Sequence, residues 1–421
     1  MIRKNSMVNH WDRSLLKVCM CAMILSTTIL PDGSFAGIRI KIMLFFCCVA
    51  ALLGCWIRGA KINSFYLALS ILSLLFVSFF ALVGSISATS PFSYVFSEGV
   101  SFVSTISTVL IMLIANSSKA IEDEEIVLSI FYGTLIYTLW KFFALLLLYL
   151  KIVSLYSLLS FFEHYLRAKP VTLNMPGGFN RITFSGQDFA ATIFLFLLPA
   201  YPKIFSNVPS FLRTIFMFTG TVAVISHYSR YFFILLAMLW FYLFLFKLSF
   251  KQRLFSCFIV AVILSLSLPW IIEAYELRFK SVQTAGSDIT RHLQISALLD
   301  AWEEAPILGW GIGFYAKSMI RGMYVYEVQW IAFLAKTGMV GILYLLFLVC
   351  LLFYKILSGK KSLDHYVLAF ILLCVFMSGF TNPLLLGAMA STLYVLPLMV
   401  ASILRKELVG GNPSSEAKDI R

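Results

Sequence analysis

Three arginines carry the clearest chemical signal in this sequence. Arg181, Arg230 and Arg291 each lie beside a long apolar run rather than in a polar module. A guanidinium offers a rigid bidentate fork and stays charged at any accessible pH, so arginines near one membrane surface point to phosphate recognition. Arg230 closes the turn Ser226-His227-Tyr228-Ser229-Arg230, just ahead of a helix start where the helix dipole also favours an anion. Lipid headgroups and ordinary loop contacts are the competing explanation for each arginine. Glu327, at the edge of another apolar run, is a candidate general base. Its plainer reading, a solvated helix-end carboxylate, is the more frequent one on sequence alone.

Other groups are informative by exclusion. Gly309, Gly311 and Gly313 look superficially like a nucleotide loop, but no strand precedes them and no βαβ unit follows. A tight turn that lets backbone approach helices or substrate fits better. His164, His227 and His292 have no metal-ligand spacing, so neither a metal nor a cofactor is expected. The eight cysteines fall within or beside apolar runs and read as packing residues. Every Asp and Glu falls in a loop or at the end of an expected span, which disfavours an ion-coupled transporter. Lys141 is the one clear basic residue deep in a span, with snorkelling as its ordinary explanation.

The elements that carry these residues are membrane helices. Apolar residues make up 60% of the 421-residue chain and charged residues 13%, with a mean hydropathy of +0.91. No soluble domain disperses with so little polar surface, and the runs are too long and continuous for an outer-membrane barrel. The net charge of +13 is not gathered on any soluble module, so nucleic acid is not an expected partner. The fold class is therefore all-α: a polytopic transmembrane helical bundle of about twelve spans. These fall near 14–31, 38–56, 62–83, 99–115, 126–150, 189–204, 211–226, 231–247, 254–272, 328–354, 365–381 and 388–404. Residues 1–404 then form one integral membrane domain, and 405–421 a disordered cytoplasmic tail.

Loop charge sets the orientation. Alternate connections carry Arg58 and Lys61, Lys203 and Arg213, Lys247, Lys251 and Arg253, then Lys355, Lys360 and Lys361, while 31–37, 84–98 and 382–387 carry no Lys or Arg. By the positive-inside rule both termini are cytoplasmic. Arg39 and Lys41 sit against this trend, at the outer end of the second span. Two outer segments, 151–188 and 273–327, are much longer than the rest and are expected to be largely irregular, the second with an amphipathic stretch through Trp302.

The order of motifs resembles the O-antigen ligase and polymerase superfamily of bacterial envelope enzymes. The matching residues are Arg181 before a span, Ser229-Arg230 between two spans, Arg291 in the long outer loop, and Pro306 with Gly309, Gly311 and Gly313. Gly338 and Gly341 then form a Gly-x-x-Gly step in the next helix. The resemblance is strongest over 177–345. It implies a metal-independent glycosyltransferase of the inner membrane with a periplasm-facing site, a long periplasmic loop containing helices, and a donor glycan on undecaprenyl pyrophosphate. Arg230 and Arg291, with Arg181 as a third, are implied to bind the pyrophosphate and stabilise it as it leaves; Gly309, Gly311 and Gly313 are implied to lie at the substrate, and Glu327 to act as base.

One departure matters. Ligases of this family place a His eleven residues before the first glycine of the Gly-x-x-Gly step, and that position here is Glu327. The expected activity is therefore an O-antigen or related polysaccharide polymerase, with a lipid-linked repeat unit as acceptor, membrane lipids around it and a chain-length regulator as a further partner. The alternatives are an O-antigen ligase acting on lipid A-core and, more distantly, a transporter or flippase of lipid-linked oligosaccharide.

Overall fold

The computed structural model describes residues 2–31, 33–59, 63–87, 90–168, 170–174, 180–254, 256–257, 272, 282–316, 326–359, 361–380 and 384–410. Helices dominate for a physical reason: in lipid a peptide group finds no water, and a helix satisfies its own N–H and carbonyl groups. The helices are α1 (Ile2–Ile29), α2 (Ile40–Ile57), α3 (Ser64–Ile86), α4 (Phe92–Ser117), α5 (Asp123–Tyr149) and the short α6 (Leu155–Tyr165). After a hairpin come α7 (Ser185–Ala200), α8 (Ser210–His227), α9 (Arg230–Phe246), α10 (Val282–Glu304), α11 (Gln329–Leu357), α12 (Leu363–Met377) and α13 (Ala388–Gly410). The hairpin pairs β1 (Val171–Asn174) with β2 (Asn180–Thr183) antiparallel, Arg181 opposite Leu173.

The chain is an all-α integral membrane protein. Helices stand at eleven of the twelve expected positions, and the ninth, 254–272, lies almost wholly outside the described residues. Six helices among the described residues are long and apolar enough to cross a membrane: α2, α3, α4, α5, α11, and α12 with its 3₁₀ extension to Phe380. The central layer is α5, α7 and α13, against which α1, α4, α8 and α12 pack. Its core includes Phe131, Phe194, Phe205 and Phe216, whose rings meet at centroid distances of 5.3–6.2 Å.

Several expectations need correction. The segment 151–188 is not irregular, because it holds α6, whose buried Leu158 and Phe162 pack with Tyr137 and Phe184, and the β1–β2 hairpin. The last helix runs through Gly410, so residues 405–410 are helical rather than part of a disordered tail; 411–421 lie outside the described residues, as do Gly177, Gly178 and Phe179. Lys141 does not snorkel: it is 1% exposed and paired with Asp188. Glu98 is not in a loop, because α4 begins at Phe92 and encloses it; it is buried and paired with Lys336.

The turn 305–314 is the structural wedge of the bundle. Helix α11 breaks at Gly338 (φ +58°, ψ −164°), which frees peptide groups that lipid cannot satisfy. The turn repairs the break: Met339 N–H donates to the Pro306 carbonyl (3.0 Å) and Val340 N–H to that of Ile307 (3.2 Å). In return Trp310 and Gly311 donate to the Ala335 and Lys336 carbonyls, and Ile312 donates to Phe80 in α3. Gly313 N–H donates to Glu98 Oε2 (2.7 Å), while Lys336 Nζ holds Oε1 of the same carboxylate at 2.5 Å. Backbone meets backbone here, so a Cβ on Gly311 (φ +89°) would lie 2.0 Å from the Gly84 nitrogen.

Gly311→Ala is therefore expected to lower the thermal unfolding temperature of the purified protein sharply, by about 3 kcal/mol in stability terms. Gly99→Ala, where an added Cβ meets nothing within 4 Å, should change it little. Equal behaviour of the two variants in a detergent melting series would refute the wedge.

Candidate active site

The turn places α10 against the start of α11. Trp302 Nε1 donates to the Pro306 carbonyl (3.2 Å), and Trp310 Nε1 to that of Ala301 (2.7 Å), tying the end of α10 to the wedge. A small apolar cluster of Leu298, Phe314, Ala316, Tyr326, Val328 and Ala332 fills the space between the helices. Tyr326 is the peg of this cluster. Its hydroxyl accepts from the Ala316 N–H at 2.7 Å, and Lys336 Nζ sits 5.3 Å from its ring. Burial pushes its phenol up to about 12, so it stays neutral.

Glu327 follows that peg directly and is aimed by α10. Arg291 Nε donates to Glu327 Oε2 at 2.9 Å, and the Glu327 N–H donates to Gln294 Oε1 at 3.0 Å. Two residues one turn apart on α10 thus fix both backbone and carboxylate of Glu327. Arg291 is 23% exposed and Glu327 36%, so the pair faces an accessible surface. The carboxylate does not cap α11, whose N-cap is Val328 with no side-chain hydrogen bond. Its partner is the arginine.

Arg181 and Arg230 hang from a different framework. At its centre Asp188, fourth residue of α7 and 0% exposed, accepts from four donors. Tyr137 hydroxyl (2.7 Å) and Lys141 Nζ (2.7 Å) approach Oδ1, while His227 Nδ1 (2.9 Å) and the Phe184 N–H (3.2 Å) approach Oδ2. Lys141 also donates to the Ala223 carbonyl at 3.1 Å. The cluster locks α5, α7 and α8 together at one end of the bundle. It holds β2 through Phe184, the residue that follows the strand carrying Arg181. It holds the α8–α9 turn through His227, whose ring stacks on Phe232 at 4.2 Å. Tyr228 then takes a left-handed conformation (φ +52°), Ser229 is the N-cap of α9, and Arg230 is its first residue.

The structure therefore joins Arg291 directly to Glu327 and hangs Arg181 and Arg230 from one buried carboxylate. Gly309, Gly311 and Gly313 are filled on their open faces by the backbone of α11, α3 and α4 respectively, and they hold the turn. Sequence reasoning passed over Lys336 and Glu98, although a lysine in the run 328–354 is itself a signal. It also read His227 only as a metal ligand that lacked partners, and Asp188 only as a residue outside a span.

Breaking a buried ion pair from one side leaves an uncompensated charge, at a cost of about 3 kcal/mol or more. Lys141→Met should thus destabilise the purified protein strongly, and the double variant Lys141→Met/Asp188→Leu should recover part of the loss. Thermal unfolding of both variants checks this; a double variant no more stable than the single would show that the other Asp188 contacts dominate.

The comparisons with known proteins bear on the same elements. No curated protein and no solved structure matches the chain. The family model described as O-antigen ligase matches residues 215–346, from within α8 to within α11. That stretch contains Arg230, Arg291, the glycine turn, Glu327 and the Gly-x-x-Gly step, and leaves Arg181 and Asp188 outside it. Residues 215–346 of this integral membrane protein are thus similar to the O-antigen ligase family, which supports the O-antigen ligase and polymerase superfamily resemblance.

Proposed function

We propose that the protein is an O-antigen or related polysaccharide polymerase of the bacterial inner membrane. It transfers a glycan from undecaprenyl pyrophosphate to a sugar hydroxyl of a lipid-linked repeat unit, in a site facing the periplasm, with both termini cytoplasmic. The observation that carries the chemistry is the Arg291–Glu327 pair, a base candidate and a phosphate-binding candidate held in contact on an accessible surface. Glu327 standing where ligases of the family carry a histidine favours the polymerase over transfer to lipid A-core.

In the proposed reaction the acceptor hydroxyl oxygen attacks the anomeric carbon of the donor sugar. Its proton passes to the Glu327 carboxylate, and the bond from that carbon to the pyrophosphate oxygen breaks. The electron pair leaves with undecaprenyl pyrophosphate. Arg230 and Arg291, with Arg181 beside them in role, offset the charge that grows on this leaving group. Arg291 serves both partners, since an arriving pyrophosphate competes with Glu327 for the guanidinium and loosens the carboxylate for the acceptor proton. The glycines at 309, 311 and 313 support this geometry through the turn. The buried pairs Lys141–Asp188 and Lys336–Glu98 tie helices to one another, an arrangement that suits fixed positioning better than transport of a substrate.

Two measurements test the reading. Glu327→Gln keeps the shape but cannot take a proton, so turnover should fall by about 100-fold or more with donor binding intact or tighter, since the amide no longer competes for Arg291; unchanged turnover returns Glu327 to a merely structural pairing. Deleting the gene in its host should leave lipopolysaccharide core capped with a single repeat unit, without the long ladder. Bare core with polymer accumulating on its lipid carrier would establish the ligase instead. In the same host Arg230→Ala should abolish the ladder at normal membrane abundance.

A further inference from the structure

A cleft of about 1070 Å³ lies among α1, α2, α3, α4 and the start of α7, and Glu327, Arg230 and Arg291 take no part in its walls. Its sides are mostly apolar, with the hydroxyls of Ser78, Ser101, Ser104 and Thr108 among them. Phe46, Leu82, Phe92 and Phe96 line it and are each more than half exposed, so it opens sideways through an apolar mouth where the surrounding lipid lies. Its lining also carries two cations: Lys41, near the start of α2, and Arg167, just beyond α6. The Lys41 stem packs over Gly33, and the Arg167 guanidinium comes within 4.0 Å of where a Cβ on Gly37 would stand. Both cations are thus brought to the α1–α2 turn, which is tied to α6 by the Ala36 N–H donating to the Tyr165 carbonyl at 2.8 Å. The lining also includes Thr183 to Gln187, the strand–helix junction immediately after Arg181.

A mostly apolar trough open to lipid and carrying two cations is complementary to one kind of molecule, an amphiphile with a long hydrocarbon tail and an anionic head. We propose that this cleft is a second lipid-phosphate site that seats a polyprenyl phosphate, tail between α2 and α4 and phosphate at Lys41 and Arg167. The choice of a polyprenyl lipid over a bilayer phospholipid rests on the polymerase reading: both substrates of that reaction are lipid-linked, and one set of arginines accounts for only one phosphate head. The wall begins two residues after Arg181, so a second lipid seated here lies near the strand that carries that arginine.

Binding is scored without any glycan transfer, so the result is independent of whether the polymerase reading survives. Full-length Arg230→Ala protein, in which the arginine site is weakened, is titrated in detergent with undecaprenyl phosphate and read by native mass spectrometry. One adduct per chain should persist. It should weaken by at least about tenfold in Lys41→Met/Arg167→Met, which keeps the apolar stems but loses both charges. Gly99→Phe should also abolish it, because Gly99 lines the cleft and an added side chain there enters open space. Undecaprenol, with the same tail and no phosphate, should bind at least about tenfold more weakly than the phosphate to the parent. Unchanged adducts in Gly99→Phe, or in the charge variant, would overturn the site. Equal displacement by phosphatidylglycerol would make the cleft a seat for ordinary bilayer lipid and overturn the assignment of its occupant.

Discussion

A helix interrupted inside an apolar bundle leaves peptide groups that only protein can satisfy, and the break of α11 at Gly338 is the point on which the site depends. The wedge at 305–314 is bound to that break from both sides. Its carbonyls take the freed N–H groups of Met339 and Val340, and its own N–H groups go to the carbonyls just before the break. Because α3 and α4 also touch the wedge, three helices are fixed by one short turn. A straight α11 would offer the turn no partners, and Glu327, at the head of that helix, would have no reason to meet α10.

The magnitudes separate positioning from chemistry. Glu98–Lys336 and Lys141–Asp188 are almost fully buried, where loss of one partner costs several kcal/mol and the geometry admits little slack. Arg291–Glu327 is partly exposed, and such a pair contributes about 0–1 kcal/mol to stability. Stability therefore does not account for it. The buried pairs hold the frame, and the exposed pair is held by it, through Tyr326 on one side and Gln294 on the other. A site whose rigid support is buried and whose reactive groups stay accessible is what positioned catalysis requires.

The sequence disclosed the parts of this arrangement that are local. Long apolar runs located the helices, because hydropathy is summed over neighbours. The eleven-residue spacing to Gly338 singled out Glu327, and the flanking polar turns singled out Arg230 and Arg291. Partnership was not legible. Lys336 meets Glu98 238 positions away, and no local pattern pairs them. Glu98 was further obscured because the apolar stretch begins only after it, whereas the helix begins at Phe92 and carries it inside. The glycines were recognisable as a turn from their spacing. That their open faces meet three other helices follows only from the packed bundle. Likewise α6 and the β1–β2 hairpin lie in a stretch too short and mixed for periodicity to resolve, and tertiary contacts with Tyr137 and Phe184 decide their structure.

A glutamate in the position of a histidine changes how the base is governed. A neutral imidazole both donates and accepts, so it can turn toward either partner, whereas an ionised carboxylate only accepts and is steered by whichever cation is nearest. Here that cation is Arg291, itself the proposed ligand of the donor pyrophosphate. Base and donor then share one guanidinium. Arg291 engages the carboxylate in the structure; in the proposed reaction the donor phosphate draws the same charge and leaves the carboxylate to the acceptor. In the proposed reaction a single ion pair on a rigid support thereby orders the two substrates.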